Sequence, residues 1–158
     1  MRIKGIETER FQDYKCPSML VAFPRCSFKC DKECGRHVCQ NSTLASAPER
    51  EIQAADIVWQ YLTNPITKAI ICGGLEPFDS FDDLVELISK FREAKCDDDI
   101  VIYTGYRKSE IYEQIKALTQ FKNIVVKFGR FVPGEVSHYD RVLGVQLAND
   151  EQYGERIS

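Results

Sequence analysis

Thr67-Lys-Ala-Ile-Ile-Cys72-Gly-Gly74, with the amphipathic stretch that starts near Ser80 and the run Asp99-Ile-Val-Ile-Tyr103 behind it, decides the fold. The two runs are apolar and of strand length, and the first is ended by a Gly-Gly turn. Between them Leu84, Leu87, Ile88 and Phe91 recur at intervals of three and four, the spacing of one buried helix face. A helix between two strands carries the chain back to its starting edge, so the strands run parallel.

The same unit repeats downstream. A helix over about Lys108 to Gln120 buries Ile111, Ile115 and Leu118, and Asn123-Ile-Val-Val-Lys127 is the next strand. Upstream, Ser18 to Phe23 reads as a strand and Ile3 to Ile6 as a further candidate. Ser46-Ala-Pro-Glu49 has the pattern of a capping box, which predicts a helix from about Pro48 to Leu62 with Ile52, Ala55, Trp59 and Leu62 buried. The fold class is therefore α/β: at least four parallel strands with crossover helices, in one domain over residues 1–158, less regular from about Gly129. Ligands in such folds bind beyond the carboxyl ends of the strands. Three separate loops lie there: the cysteine-rich segment after Phe23, Gly73-Gly74 and Thr104-Gly105.

Bulk composition narrows the functional classes. With 158 residues, 44% apolar and 28% charged, the chain can bury a core without disulfide staples. A net charge of -3 with no basic stripe gives no footprint for a nucleic-acid backbone. No apolar run approaches the roughly 20 residues of a membrane span. Met1-Arg-Ile-Lys-Gly-Ile lacks the apolar region of a secretory signal, so the expected compartment is cytoplasmic. Two histidines are too few for conventional hydrolytic metal chemistry.

Cysteine usage points elsewhere. Four of the seven cysteines fall in Cys26-Ser-Phe-Lys-Cys30-Asp-Lys-Glu-Cys34-Gly-Arg-His-Val-Cys39. Clustered thiols in a reducing compartment bind metal more often than they pair as disulfides. Four thiolates saturate a cubane iron-sulfur cluster, whereas three leave one iron open to a substrate. The same residues would also close a tetrahedral zinc site, from Cys26, Cys30, Cys34 and Cys39 or with His37 replacing one thiolate. Spacing alone does not choose between these.

Phe23-Pro-Arg-Cys26-Ser-Phe-Lys-Cys30, then Val38-Cys39-Gln-Asn41, Cys72-Gly-Gly-Leu-Glu-Pro77 and Tyr103-Thr-Gly-Tyr106, resemble in their order the radical S-adenosylmethionine (SAM) superfamily. Within it the chain is similar to the small activating proteins of anaerobic ribonucleotide reductases, over roughly residues 15 to 110. Those proteins carry a Cys-x3-Cys-x2-Cys loop, whereas here Cys30 is followed at x3 by Cys34 and at x8 by Cys39. Asn41 stands after Cys39 as the family's asparagine does. The resemblance thus assigns Cys26, Cys30 and Cys39 as ligands of a [4Fe-4S] cluster, with Asp31 to Val38 an enlarged loop and Cys34 the alternative third ligand.

The family's Gly-Gly-acidic-Pro segment, whose backbone holds the methionyl amine of SAM, corresponds to Gly73-Gly-Leu-Glu-Pro77, with Gly73, Gly74 and Glu76 as the implied binding residues and Leu75 either inserted or standing in place of the second glycine. Read without the resemblance, Gly-Gly after a strand is a turn. Tyr103 and Tyr106 would lie near the SAM adenosine, although a tyrosine at a strand end is commonly only a rim residue. The implied fold is a partial (β/α) barrel of radical SAM type. The implied activity is reductive cleavage of SAM to methionine and a 5'-deoxyadenosyl radical, which takes a hydrogen from a glycine of an anaerobic ribonucleotide reductase. A flavodoxin-like electron donor is implied as well, and a homodimer is among the assemblies it allows. The alternatives are another glycyl-radical enzyme or a small molecule as target, and a non-catalytic zinc or iron-sulfur binding module. Cys72 and Cys96 read as small apolar fillers, and Cys16 and His138 have no assigned role.

Overall fold

The computed structural model describes residues 1–158. In chain order the strands and helices are β1 (Arg2–Ile3), β2 (Gly5–Arg10), β3 (Ser18–Phe23), α1 (Lys29–Cys34), α2 (Ser42–Ser46), β4 (Arg50–Glu51), α3 (Ala54–Thr63) and β5 (Ala69–Gly74). They continue as α4 (Phe81–Glu93), β6 (Asp99–Tyr103), α5 (Tyr112–Leu118), β7 (Ile124–Phe128), β8 (His138–Asp140), β9 (Val145–Leu147) and β10 (Tyr153–Arg156). Single 3-10 turns, Pro77–Ser80 and Lys108–Ile111, lead into α4 and α5.

Six strands form the main sheet in the order β10-β7-β6-β5-β3-β2. The central four, β3, β5, β6 and β7, are parallel, and their crossovers carry α3, α4 and α5. The two outer strands are antiparallel to their neighbours. Residues 2–10 split into two strands: β1 pairs with β4 in a separate ribbon, and β2 forms one edge of the main sheet. The tail is more ordered than its sequence implied. β8 and β9 make a small antiparallel pair, and β10 closes the other edge against β7.

Strand alternation sorts side chains onto two unlike faces. Ile70, Cys72, Ile100, Ile102, Ile124 and Val126 point to the helices, where Leu84, Leu87, Ile88, Phe91, Ile111, Ile115 and Leu118 pack against them in one core. Ile71, Val101 and Val125 point the other way, into a smaller cluster with Tyr14, Leu143 and Leu147. Helices thus cover one face, and the second face is only partly covered by chain segments from both ends of the sequence. No helix is long and apolar enough to cross a membrane.

The helix before β5 departs from expectation at both its start and its phase. Ser46 ends α2 instead of capping α3, because Lys4 reaches up from the N-terminal segment and donates to the carbonyls of Ala45 (3.0 Å) and Ala47 (2.6 Å). A lysine on free carbonyls closes a helix C-terminus. Glu49, instead of completing a capping box, sits 3.7 Å from the same lysine. The helix then starts at Ala54 and buries Ala54, Ile57, Val58 and Tyr61, leaving Trp59 and Leu62 66% and 52% exposed. Both stripes have helical spacing. The buried one wins through Tyr61, whose ring meets Phe91 edge-on at 5.3 Å while its hydroxyl donates to Asp98 at 2.6 Å.

Candidate functional site

At the carboxyl ends of β3, β5 and β6, a cavity of about 500 Å3 opens on the face of the sheet away from the helices. Cys26, Cys30 and Cys39 line it together with Gly73, Gly74, Glu76 and Tyr103; Cys34 is not among the lining residues. All four cysteines are free and half-buried.

Local chemistry explains how the loop is shaped. Phe28 adopts φ 52, a left-handed conformation unusual for a side chain of its size, and its amide donates to Cys26 Sγ at 3.3 Å. α1 then begins and carries Cys30, ending at Gly35. Asp31 closes the segment between α1 and Cys39: its carboxylate accepts from the Val38 and Cys39 amides, both at 2.8 Å, and meets His37 at 2.8 Å. The Val38 amide, foremost among these contacts, holds the Asp31 carboxyl below its usual range. An aspartate that binds its chain seven and eight residues on returns Cys39 to the cavity, an anchor that the sequence, where Asp31 only begins the enlarged loop, does not signal.

Neighbouring loops fasten to this one. Asn41 donates its side-chain amide to the Gly74 carbonyl at 2.7 Å. Gly74 itself has φ 78, and a Cβ there would lie 2.9 Å from Ala22, so the turn admits only glycine. Asp79 accepts from the Ser27 amide at 2.5 Å and from the Tyr106 hydroxyl at 2.6 Å, which joins the β5 and β6 loops to the first cysteine. Lys29 lies over the Tyr106 ring, 4.4 Å from its centre.

Glu76 is buried at the centre of the site. Its carboxylate accepts from the Thr104 hydroxyl at 2.8 Å, the Gly105 amide at 2.9 Å and the Phe78 amide at 3.2 Å. Burial pushes it up to about 7, against the downward pull of those donors. Tyr103 lines the floor of the cavity and donates its hydroxyl to the Asp13 carbonyl at 2.5 Å. Burial also pushes the Cys26 thiol up to about 12 and raises Cys39. Such thiols stay protonated until a metal displaces the proton.

Two basic residues entered the site without a sequence signal. Arg130 is 3% exposed; it donates to Glu33 on α1 at 3.1 Å, to both oxygens of Glu110 at 2.6 and 2.7 Å, and to the Gly105 carbonyl. It therefore ties the cysteine helix to the β6 loop and the tail. Lys127, 7% exposed, lies on the cavity face of β7 two residues after Val125 and donates to the Gly129 carbonyl at 3.0 Å. Burial pushes it down to about 8.

The donor set fits an iron-sulfur cluster. Cys26, Cys30 and Cys39 line one cavity of about 500 Å3, and in a cubane cluster each thiolate binds a different iron, so three thiols on the walls of one cavity suit it. Backbone closes in on Cys30: a Cβ added to Gly105 would lie only 3.3 Å from its sulfur, and the Phe131 amide donates to that sulfur at 3.5 Å. His37 bonds Asp31 outside the cavity lining, and His138 lies by Asp150 at 3.8 Å.

Residues 17–145 match the model of a family described as a 4Fe-4S single cluster domain. No curated protein and no solved structure gives a significant match.

Proposed function

The chain belongs to the 4Fe-4S single cluster domain family, and on that premise we propose that it is a radical SAM activase, which uses SAM to place a radical on a glycine of an anaerobic ribonucleotide reductase. One observation carries the reading: Cys26, Cys30 and Cys39 share a cavity with the Gly73-Gly74 turn, and Cys34 is absent from its lining. Three thiolates leave one iron without a protein ligand. A cluster held by Cys26, Cys30 and Cys39 would supply the one electron that cleaves SAM to methionine and a 5'-deoxyadenosyl radical, taken in turn from a flavodoxin-like donor.

The chain's own residues bind, orient and shield. Gly74 lets β5 pass close to Ala22, where a Cβ would lie 2.9 Å away, and its carbonyl, held by the Asn41 side chain, ties the turn to the cysteine loop at the cavity wall. Glu76 braces the β5 loop against Thr104 and Gly105 and so fixes the backbone around a ligand; Oε1 accepts two bonds and Oε2 one, which leaves Oε2 a lone pair on the cavity wall. Tyr103, Leu20 and Ile71 supply an apolar floor that excludes water from the side of the sheet. The open mouth suits a macromolecular substrate whose own loop enters. Four parallel strands with crossover helices support the partial (β/α) barrel that this reading carries with it.

Incubating the anaerobically reconstituted protein with SAM, a strong reductant and an anaerobic ribonucleotide reductase tests the proposal. The expected products are methionine and 5'-deoxyadenosine, with a glycyl-radical doublet by electron paramagnetic resonance. SAM cleavage without a doublet would move the target to another glycyl-radical enzyme or a small molecule. A loaded protein that leaves SAM intact would reduce the chain to a binding module.

A further inference from the structure

Four cations line the cavity: Arg10, Lys29, Lys127 and Arg130. Three are neutralised in place. Arg10 pairs with Glu7 and Asp13, Lys29 with Glu110, and Arg130 with Glu33 and Glu110. Lys127 has no carboxylate within ion-pair distance, although only 7% of it is exposed. Only one bond, to the Gly129 carbonyl, is made by its three N–H groups. A buried cation without a counter-charge is costly, so something anionic belongs beside it.

The surroundings identify that anion. Lys127 sits on the segment that brackets the Cys30 sulfur: its carbonyl accepts from the Thr104 amide at 2.9 Å, next to Gly105, and its ammonium anchors two residues before Phe131. A Cβ at Gly105 would lie 3.3 Å from Cys30 Sγ, and the Phe131 amide donates to that sulfur at 3.5 Å. Glu76 is turned to Thr104 and Gly105 and acts on Lys127 only at longer range.

We propose that Lys127 is the built-in counter-cation of the cluster, and that its charge sets the cluster's reduction potential. The inference rests on the ligand reading above. Three thiolates outweigh the charge of an oxidised cubane core, so the loaded site is anionic. Reduction by a one-electron donor adds one negative charge, with no bond made or broken and no proton moved. A fixed cation nearby stabilises the reduced form more than the oxidised one, which raises the potential.

The test is a potentiometric titration of the reconstituted protein with dithionite and mediators, followed by electron paramagnetic resonance without SAM. Lys127→Met and Lys127→Gln remove the charge, and Lys127→Arg keeps it. At a fixed potential, the ratio of reduced to oxidised cluster should fall about tenfold in Met and Gln, equivalent to about 59 mV for one electron, and stay within about twofold of wild type in Arg. Loss of iron from Met and Gln but not Arg would also support the role, since charge is what separates them. Potentials within twofold in all three variants would overturn it, as would loss of iron from all three. So would unchanged potentials with a lost response to SAM, which would assign the cation to the ligand's carboxylate. A wild-type protein that takes up no iron would instead overturn the cluster reading itself.

Discussion

The two faces of the central sheet differ in what they bury. Against the helices lie uncharged, apolar side chains: Cys72, Ile100, Ile102, Ile124 and Val126 meet Leu84, Leu87, Ile88 and Phe91. On the opposite face, within the same strands and one residue out of step, lie Lys127, Tyr103 and the Gly73-Gly74 turn, with Glu76 and three thiols above them. Burial stabilises on the first face at about 25 cal/mol per Å2 of apolar surface. On the second it desolvates charges and thiols, which costs stability and leaves groups ready for a ligand. One face holds the fold together, and the other uses that surplus to keep a reactive site out of water.

The contrast is broken most completely through the thiols. Alanine at Cys26, Cys30 or Cys39 should abolish iron retention after anaerobic reconstitution while leaving urea unfolding nearly unchanged, and alanine at Cys34 should retain the cluster. Iron content and visible absorption read this directly. Retention in the Cys39 variant with loss in the Cys34 variant would exchange the third ligand. On the helix face the opposite separation holds. Phe91→Ala should cost about 3–5 kcal/mol of unfolding free energy, measured by urea denaturation, with iron still bound per folded molecule.

Glu76 gives a pH-dependent version of the same comparison. Its folded value of about 7 lies above the ordinary 4.5. Between those values the folded chain holds a proton that the unfolded chain has released, so stability falls as pH rises through this window. The loss is at most roughly 3 kcal/mol. Glu76→Gln should flatten the profile between pH 4.5 and 7 in urea titrations, and an unchanged slope would remove Glu76 as its source. The smallest effect is expected at Trp59: replacing it by alanine should move stability by no more than about 0.5 kcal/mol, because its ring is 66% exposed.

Trp59 also marks where the sequence stopped being decisive. The succession β5-α4-β6-α5-β7 was legible because each helix carries one apolar stripe and each strand one apolar run. α3 carries two stripes of equal spacing, and the choice depends on Tyr61 finding Phe91 and Asp98, contacts 30 and more residues away. The convergence of the cysteine loop, Gly73-Gly74 and Thr104-Gly105 was legible too, since strand ends of a parallel sheet share one rim. Lys127 was not: its side chain follows from strand parity, but its lack of a partner depends on where every nearby carboxylate goes. Arg130 and Asp31 were hidden for the same reason, their partners lying up to 97 residues away or inside an irregular loop.

The proposed activity stands on a cluster held by three thiolates, with one iron open to SAM. The most direct measurement is the electron paramagnetic resonance spectrum of the reconstituted, reduced protein before and after adding SAM. The expected result is a brown protein with about four irons and a signal that changes on addition. A colourless protein, or a reduced-cluster signal that SAM leaves unaltered, would contradict it.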